Sequence, residues 1–247
     1  LTQHPHGIAL AKLSTDLNVP RSNCHRLLGE LAKYGYIRQP VQHGDYARTT
    51  KRASMGLSFL SKSGVVDIAQ PILADLAQIT GELVRLAVVD GDALTFVAKA
   101  QGATRGLRYD PDMGLSVTLS CSAAGHAWMS TMTDEQALVR VAQQGFGLPQ
   151  DFGPKAPTTD KALLTYLRAA RKRGYSMINE VFAPAMTAMA APVRIGNGTV
   201  TGVVTIAGPL VRLTEYRMQT LAPLLLETAE DVARASGASA LFRRKTA

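Results

Sequence analysis

The 247-residue chain is long enough for two compact domains, and its composition, 46% hydrophobic and 19% charged, is that of a globular protein rather than a disordered one. No apolar run reaches the roughly 18 residues of a membrane helix, no secretory signal opens the sequence, and two cysteines are too few for a disulfide framework, so we expect a cytoplasmic protein without membrane contact. The net charge of +8 is concentrated in residues 1–62, where nine Lys and Arg face three Asp and Glu, which is typical either of a surface that contacts nucleic-acid phosphates or of a merely solvated one.

A helix, a turn and a second helix are predicted at the start of the chain. Over residues 8–17 the leucines recur every three or four positions, which is the spacing of one helix face. Asn18 tolerates a left-handed backbone, and Pro20 suits the first turn of a following helix. In that second helix we expect an apolar stripe to face inward, formed by Cys24, Leu27, Leu28 and Leu31.

A small basic hairpin and a longer helix follow. Residues 36–39 and 45–48 are predicted to form two short strands around a turn at 40–44, and residues 50–63 form a helix that ends near Gly64. The predicted domains are therefore a winged helix-turn-helix at residues 1–49, a linker helix at 50–65, and a larger domain at 66–247.

The larger domain mixes strand and helix patterns. A helix is expected at residues 66–80, with an inner side formed by Ile68, Ile72, Leu76 and Ile79. Asp90-Gly91 suits a tight turn and predicts a hairpin between residues 83–89 and 93–98. Further strands are predicted at 115–119, 175–179, 189–195 and 200–207, and further helices at 123–131, 134–144, 160–173 and 214–236. An antiparallel sheet flanked by helices makes this an α+β domain.

The N-terminal arrangement has what reading of the DNA major groove requires. The second helix begins with Arg and small polar side chains, which can bond base edges, while basic residues of the hairpin can neutralise phosphates. Base reading is predicted for Arg21, Ser22, Asn23 and Arg26, with His25 beside them, and phosphate contact for Arg38, Arg48 and Lys51. The alternative is an ordinary helical hairpin with a polar outer face. The main hypothesis is a sequence-specific DNA-binding transcriptional regulator with a double-stranded operator as its partner.

A rival hypothesis from another class is an enzyme that uses Cys121 or Ser122 in the larger domain. These residues precede His126 at a strand-to-helix transition, where a nucleophile and a base could meet. No histidine follows His126, so a triad has no further partner, and small residues here also suit close packing of a helix on the sheet. The histidines and cysteines lack the spacing of metal ligands, and no phosphate-binding glycine loop is present. We expect no metal and no cofactor.

The order of motifs resembles the IclR family of bacterial regulators over nearly the whole chain. The N-terminal match is residues 18–28, similar to the family's L-P-x-S-T-x-x-R-L-L helix, followed by Gly35-Tyr36-Ile37. The C-terminal matches are Gly114 with Gly125, Arg173-Gly174-Tyr175, Ala190-Ala191-Pro192-Val193, Gly208-Pro209 and Arg212-Leu213-Thr214. The resemblance implies a GAF-like domain that binds a small-molecule effector, homodimers through the DNA-binding half, and commonly homotetramers through the effector half.

The resemblance also implies where the effector binds. Carried over by position, the pocket comprises Ser120, Cys121, Ser122, Ala124, Gly125, Ala188, Thr205 and Ala207, with walls from Phe96, Tyr109, Met113 and Met186. Ala188 and Ala207 stand where the family often has cysteine and serine, which removes hydrogen-bond donors and adds room. An aromatic carboxylate such as a hydroxybenzoate is then favoured over a small keto acid. Ser122, Thr205 and a helix N-terminus could hold its carboxylate; the alternative is packing of small residues with no ligand.

Overall fold

The computed structural model describes residues 1, 4, 6–41, 44–111, 113–114, 116–196 and 198–236. The chain divides into two compact units, residues 1–62 and the residues from 63 onward. In chain order the helices are α1 (Leu10–Leu17), α2 (Arg21–Lys33), α3 (Lys51–Ser63), α4 (Val65–Thr80), α5 (Ala123–Met129), α6 (Asp134–Gln144), α7 (Asp160–Arg173) and α8 (Glu215–Ser236). The strands are β1 (Ile37–Arg38), β2 (Ala47–Arg48), β3 (Leu83–Asp90), β4 (Ala93–Gln101), β5 (Ser176–Asn179), β6 (Met186–Arg194) and β7 (Val200–Pro209).

The first unit is a winged helix-turn-helix, as the sequence predicts. α1 ends at Asn18, whose φ of 51° places it in the left-handed region, and α2 begins directly after Pro20. β1 and β2 pair antiparallel, with Ile37 opposite Arg48, to form the wing. The predicted turn at 40–44 includes residues 42 and 43, which lie outside the described residues. The core of the unit consists of Ile8, Leu13, Leu28, Ile37 and Tyr46.

The predicted apolar stripe of α2 is only half correct. Cys24 and Leu28 are buried, whereas Leu27 and Leu31 are 52% and 40% exposed. The described part of this unit covers Cys24 and Leu28, but it leaves Leu27 and Leu31 uncovered. α3 is likewise poorly covered, because Met55, Leu57 and Phe59 are each more than half exposed.

The second unit contains a five-stranded antiparallel sheet in the order β4-β3-β7-β6-β5. α4 and α8 pack on each other and on the sheet, while α5 and α7 form a second pair that packs against β5 and β6. The predicted hairpin between β3 and β4 is confirmed, with Gly91 in the left-handed region at φ 61°. This arrangement confirms the α+β class. No helix within the described residues is long and apolar enough to cross a membrane.

Two predictions for the second unit are wrong. The sequence predicts a strand at residues 115–119. In the structure Ser116 makes only an isolated bridge to Thr95, because Gly114 lies in the left-handed region and the chain after it pairs with β4 only at single points. Leu115 lies outside the described residues. In α4 the buried face contains Val65, Ala69, Leu73, Leu76, Ala77 and Thr80. Ile79, expected inside, is 63% exposed, since the small alanines, not the isoleucines, let the helix approach its neighbours. Asn197, in the predicted turn after β6, lies outside the described residues.

A buried ion pair joins the start of β3 to the segment before α8. Glu82 is 1% exposed and accepts hydrogen bonds from Nε and Nη2 of Arg212 at 2.9 and 2.8 Å. Nη1 of Arg217 lies 3.6 Å from the same carboxylate. The bonds to Glu82 raise the pKa of Arg212. Gly208 must lack a side chain, since a Cβ there would lie 2.4 Å from Oε2 of Glu82.

Candidate functional site

The predicted DNA-reading side chains form one exposed face at the start of α2. Arg21, Ser22, Asn23, His25 and Arg26 are all exposed, and the first turn of the helix carries no acidic residue. Because a helix N-terminus carries partial positive charge, this end of α2 suits a polyanion.

The basic residues of the wing stand on the same unit. Arg38 and Arg48 are exposed on the paired strands β1 and β2. Lys51 begins α3, and its ammonium donates to the backbone oxygen of Tyr34 at 2.5 Å and lies 4.9 Å from the ring centroid of Tyr36. Its position is therefore more constrained than that of the two arginines. The roles of all these residues stay predictions.

The second unit contains a cavity of about 170 Å³ beneath its sheet. All five strands of the sheet, the start of α5 and the loops after β4 and β5 contribute to it. Its lining consists of Arg85, Phe96, Tyr109, Pro111, Ser116, Val117, Thr118, Ser122, Ala123, Ala124, Ile178, Phe182, Met186, Thr187, Ala188, Thr205 and Ala207. Most of these side chains are apolar or small.

The structure brings together eight of the predicted effector residues around this cavity. They are Phe96, Tyr109, Ser122, Ala124, Met186, Ala188, Thr205 and Ala207. Four others lie outside the lining. Ser120 donates to the backbone oxygen of Phe146 at 3.1 Å, and Cys121 and Met113 pack in the hydrophobic core. Gly125 lies so close to the backbone of Leu119 that a Cβ would sit 2.4 Å from its oxygen, which makes it a packing glycine.

The hydroxyl groups expected to hold a carboxylate already have partners. Ser122 caps α5: its Oγ accepts from the amide of Gly125 at 3.0 Å and donates to the backbone oxygen of Thr118 at 2.6 Å. Oγ1 of Thr205 is directed at the backbone oxygen of Arg85, at 3.5 Å. Both contacts stabilise the fold, which leaves these groups less available to a ligand.

Sequence analysis missed Arg85, the charged side chain of the lining. It lies on β3 opposite Thr205 of β7, and its guanidinium carbon is 3.7 Å from the ring centroid of Phe96 and 5.9 Å from that of Tyr109. Burial lowers the pKa of Arg85. Burial raises the pKa of Tyr109, and its interaction with Arg85 acts in the opposite direction.

The residues considered for catalysis do not form a usable pair. Cys121 is buried, and burial raises the pKa of its thiol, which disfavours the nucleophilic thiolate. His126 is completely buried, and Nε2 lies 2.6 Å from the backbone oxygen of Ser120. Neither side chain lines the cavity, so a bound substrate would not reach them there.

Comparison with known proteins decides the family. Residues 57–234 match the model of the C-terminal domain of bacterial IclR transcriptional regulators, and residues 1–40 match the IclR helix-turn-helix model. The chain belongs to the IclR family. Among its relatives, the transcriptional repressor IclR of Escherichia coli is 27% identical over 94% of this chain and 84% of that protein. The regulator BhcR of Paracoccus denitrificans is 26% identical over 92% and 80%, respectively.

Solved structures of IclR-family proteins share the fold. An IclR regulator from Silicibacter sp. TM1040 superposes with a TM-score of 0.79 at 19% identity, covering 96% of this chain and 92% of that one. An IclR homolog from Microbacterium hydrocarbonoxydans, complexed with 4-hydroxybenzoate, superposes with a TM-score of 0.71 at 19% identity, covering 94% and 92%. The protein is therefore a DNA-binding transcriptional regulator, and the hypothesis of an enzyme acting through Cys121 or Ser122 is set aside because its relatives are named as regulators.

Proposed function

We propose that this IclR-family protein reads a palindromic operator through α2 and the wing, and that an aromatic carboxylate in the cavity of the second unit controls it. The main support for base reading is the exposed polar face of α2, on which Arg21, Asn23 and Arg26 are accessible to solvent. Arg can bond guanine and Asn can bond adenine in the major groove. Arg38 and Arg48 of the wing, together with Lys51, supply phosphate contacts.

The lining of the cavity supports an aromatic effector. Phe96, Phe182 and Ile178 offer apolar surface to a ring, and Ala188 and Ala207 leave space beside it. The 4-hydroxybenzoate complex of the Microbacterium homolog, whose fold is the same, points to this class of compound.

We propose further that the protein acts as a homodimer or homotetramer in the cytoplasm, where its operator is. The exposed apolar side chains of α3, Met55, Leu57 and Phe59, support self-association, because apolar patches of this kind mark interfaces. A palindromic operator matches the symmetry of such a dimer.

The base-reading and phosphate-contacting residues should respond differently to substitution. Arg21→Ala is expected to lose about 1–3 kcal/mol on the specific operator and little on random DNA, whereas Arg48→Ala should weaken both alike and lower the salt slope by about one. Fluorescence anisotropy with the neighbouring promoter and a scrambled duplex, over a range of salt, measures both effects. Arg105→Ala, an exposed arginine of the second unit, is the control. Equal losses on both duplexes for Arg21→Ala would contradict its reading role.

The effector site can be tested by ligand-induced stabilisation. A ligand present at 100 times its dissociation constant stabilises the folded state by about 2.7 kcal/mol, so 4-hydroxybenzoate should raise the melting temperature. Ala188→Trp, which places an indole in the cavity, should abolish this shift, while Val211→Trp at an exposed position should keep it. Stabilisation by glyoxylate and pyruvate alone, unchanged in Ala188→Trp, would refute both the aromatic class and the location.

A further inference from the structure

Arg85 is a partly buried cation, and no acidic side chain of the described residues pairs with it. Its Nε atom is shielded from solvent and has no hydrogen-bond partner among the described residues, and none of their carboxylates forms an ion pair with it. The ionisable side chain that faces it is the phenol of Tyr109. Elsewhere in the same unit the buried charge of Glu82 is fully paired with Arg212.

A positive charge that is shielded from solvent and lacks a carboxylate partner is unfavourable for folding. Arginine stays protonated in proteins, so burial leaves a full positive charge in an environment of low polarity, and buried charges are ordinarily paired. Stacking on Phe96 at 3.7 Å relieves part of the cost. Stacking does not satisfy Nε, and Tyr109 takes up only part of the remaining donors, so the edge of the guanidinium still has an N–H group for an acceptor.

We propose that Arg85 is the anion receptor of the cavity, and that it binds the carboxylate of the effector at the edge of its guanidinium while the apolar lining holds the body of the molecule. The inference rests on the proposed effector site and deepens it. The effector must be an anion, and an uncharged compound of the same shape is rejected because it would leave the cation buried and unpaired.

The carboxylate of the effector then binds at Arg85 and not at Ser122, Thr205 and the helix N-terminus, where the sequence predicts it. Ser122 and Thr205 already bond to backbone oxygens, whereas Nε of Arg85 has no partner among the described residues. A bidentate pair between guanidinium and carboxylate also fixes orientation, so the effector's ring is directed towards the side of the cavity that Ile178 and Phe182 line.

The experiment compares an acid with its uncharged isostere. Binding of 4-hydroxybenzoate, benzoate, acetate and 4-hydroxybenzamide is measured by titration calorimetry on the full chain. The variants are Arg85→Met and Arg85→Lys. The matched control is Arg140→Met: Arg140 also stacks on an aromatic ring, that of Trp128 at 5.2 Å, and also has a buried Nε without a partner among the described residues, but it lies outside the cavity lining.

We expect the wild type to bind the aromatic acids and to reject the amide. Arg85→Met should lose about 30-fold or more in affinity for the acids and bind the amide at least as well as the wild type does. Arg85→Lys keeps the positive charge but loses the planar, bidentate guanidinium, so its affinity for the acids should lie between those of the wild type and Arg85→Met. It also allows the test if Arg85→Met does not fold. Arg140→Met should bind like the wild type.

Two results would overturn the inference. One is equal affinity of Arg85→Met and the wild type for an acid. The other is a wild type that binds no carboxylate of the set. The proposed function is judged separately, because operator binding does not depend on Arg85 and the Ala188→Trp variant tests the cavity. If the aromatic acids stabilise the wild type and Arg85→Met alike, only the anion receptor is wrong. If no aromatic carboxylate stabilises the wild type, the proposed effector class fails as well, and if operator binding is absent, the regulator proposal itself fails.

Discussion

Replacing Glu82 by glutamine is expected to lower the free energy of unfolding of the second unit by about 3 kcal/mol. Glutamine has the same shape, so no cavity forms, but its amide group directs N–H donors towards Arg212 and Arg217 where a carboxylate now accepts their hydrogen bonds. Breaking a buried pair costs about 3–5 kcal/mol because a charge is left uncompensated. We expect the lower end, since the side chain of Arg212 is 31% exposed and water can reach it.

Urea unfolding at neutral pH measures this loss. The matched control is Asp92→Asn, whose partner Arg140 lies 3.0 Å away but whose own side chain is 71% exposed, so the loss should be within about 1 kcal/mol. The double variant Glu82→Met with Arg212→Met should recover most of the stability, because it leaves no buried charge unpaired: the remaining arginine, Arg217, has a side chain that is 38% exposed and can be solvated. Equal effects of Glu82→Gln and Asp92→Asn would mean that the buried pair contributes no more than a surface one.

The second unit is expected to lose about 3 kcal/mol of stability as the pH falls from 6.5 to 4. Burial lowers the pKa of His126 from 6.5 to about 4, although the bond to the backbone of Ser120 opposes the shift. The folded state therefore keeps the ring neutral where the unfolded chain takes up a proton. Stability is unaffected above pH 6.5, falls through this window, and levels off below pH 4.

Urea unfolding at pH 7.0, 6.0, 5.0 and 4.5 tests this expectation. His126→Gln has no group that titrates in this range, so its stability should lose the part of the pH dependence that His126 causes, even if the variant is less stable at pH 7. His25→Gln, at an exposed position of the first unit, should keep the wild-type dependence. A pH profile that His126→Gln leaves unchanged would assign the effect to other groups.

The order of elements could be predicted from the sequence because local signals mark their ends. Asn18, Pro20 and Asp90-Gly91 stand at turns in the structure as expected, since each position requires a backbone conformation that few residues adopt. Which residues are buried was less predictable. Periodicity identifies the apolar face of α2, but Leu27 and Leu31 stay exposed, because the pattern carries no information on whether another element of the same chain covers that face.

The candidate site shows the same limit. Its small residues, such as Ala188 and Ala207, could be placed from the family resemblance, and they do lie at the cavity. Arg85 could not, because one charged residue in an apolar strand is ordinarily expected to face solvent. Its burial depends on long-range pairing: β3 is flanked by β4 and β7, and residues of the loop after β4, including Tyr109, come together around its side chain. Of the five residues between 120 and 125 that the family resemblance places at the effector, three, Ser120, Cys121 and Gly125, lie outside the cavity lining.

The unpaired guanidinium of Arg85 also bears on how long the protein survives in the cell. A partly buried cation that no carboxylate of the described residues pairs with lowers the stability of the second unit, and an anion that binds only the folded chain raises it by mass action. Degradation follows the population of unfolded molecules, and a difference of 1–2 kcal/mol changes abundance several-fold. With Arg85 as receptor, we expect effector-starved cells to hold fewer copies of the regulator, so that the same small molecule sets both the occupancy of the protein and its lifetime.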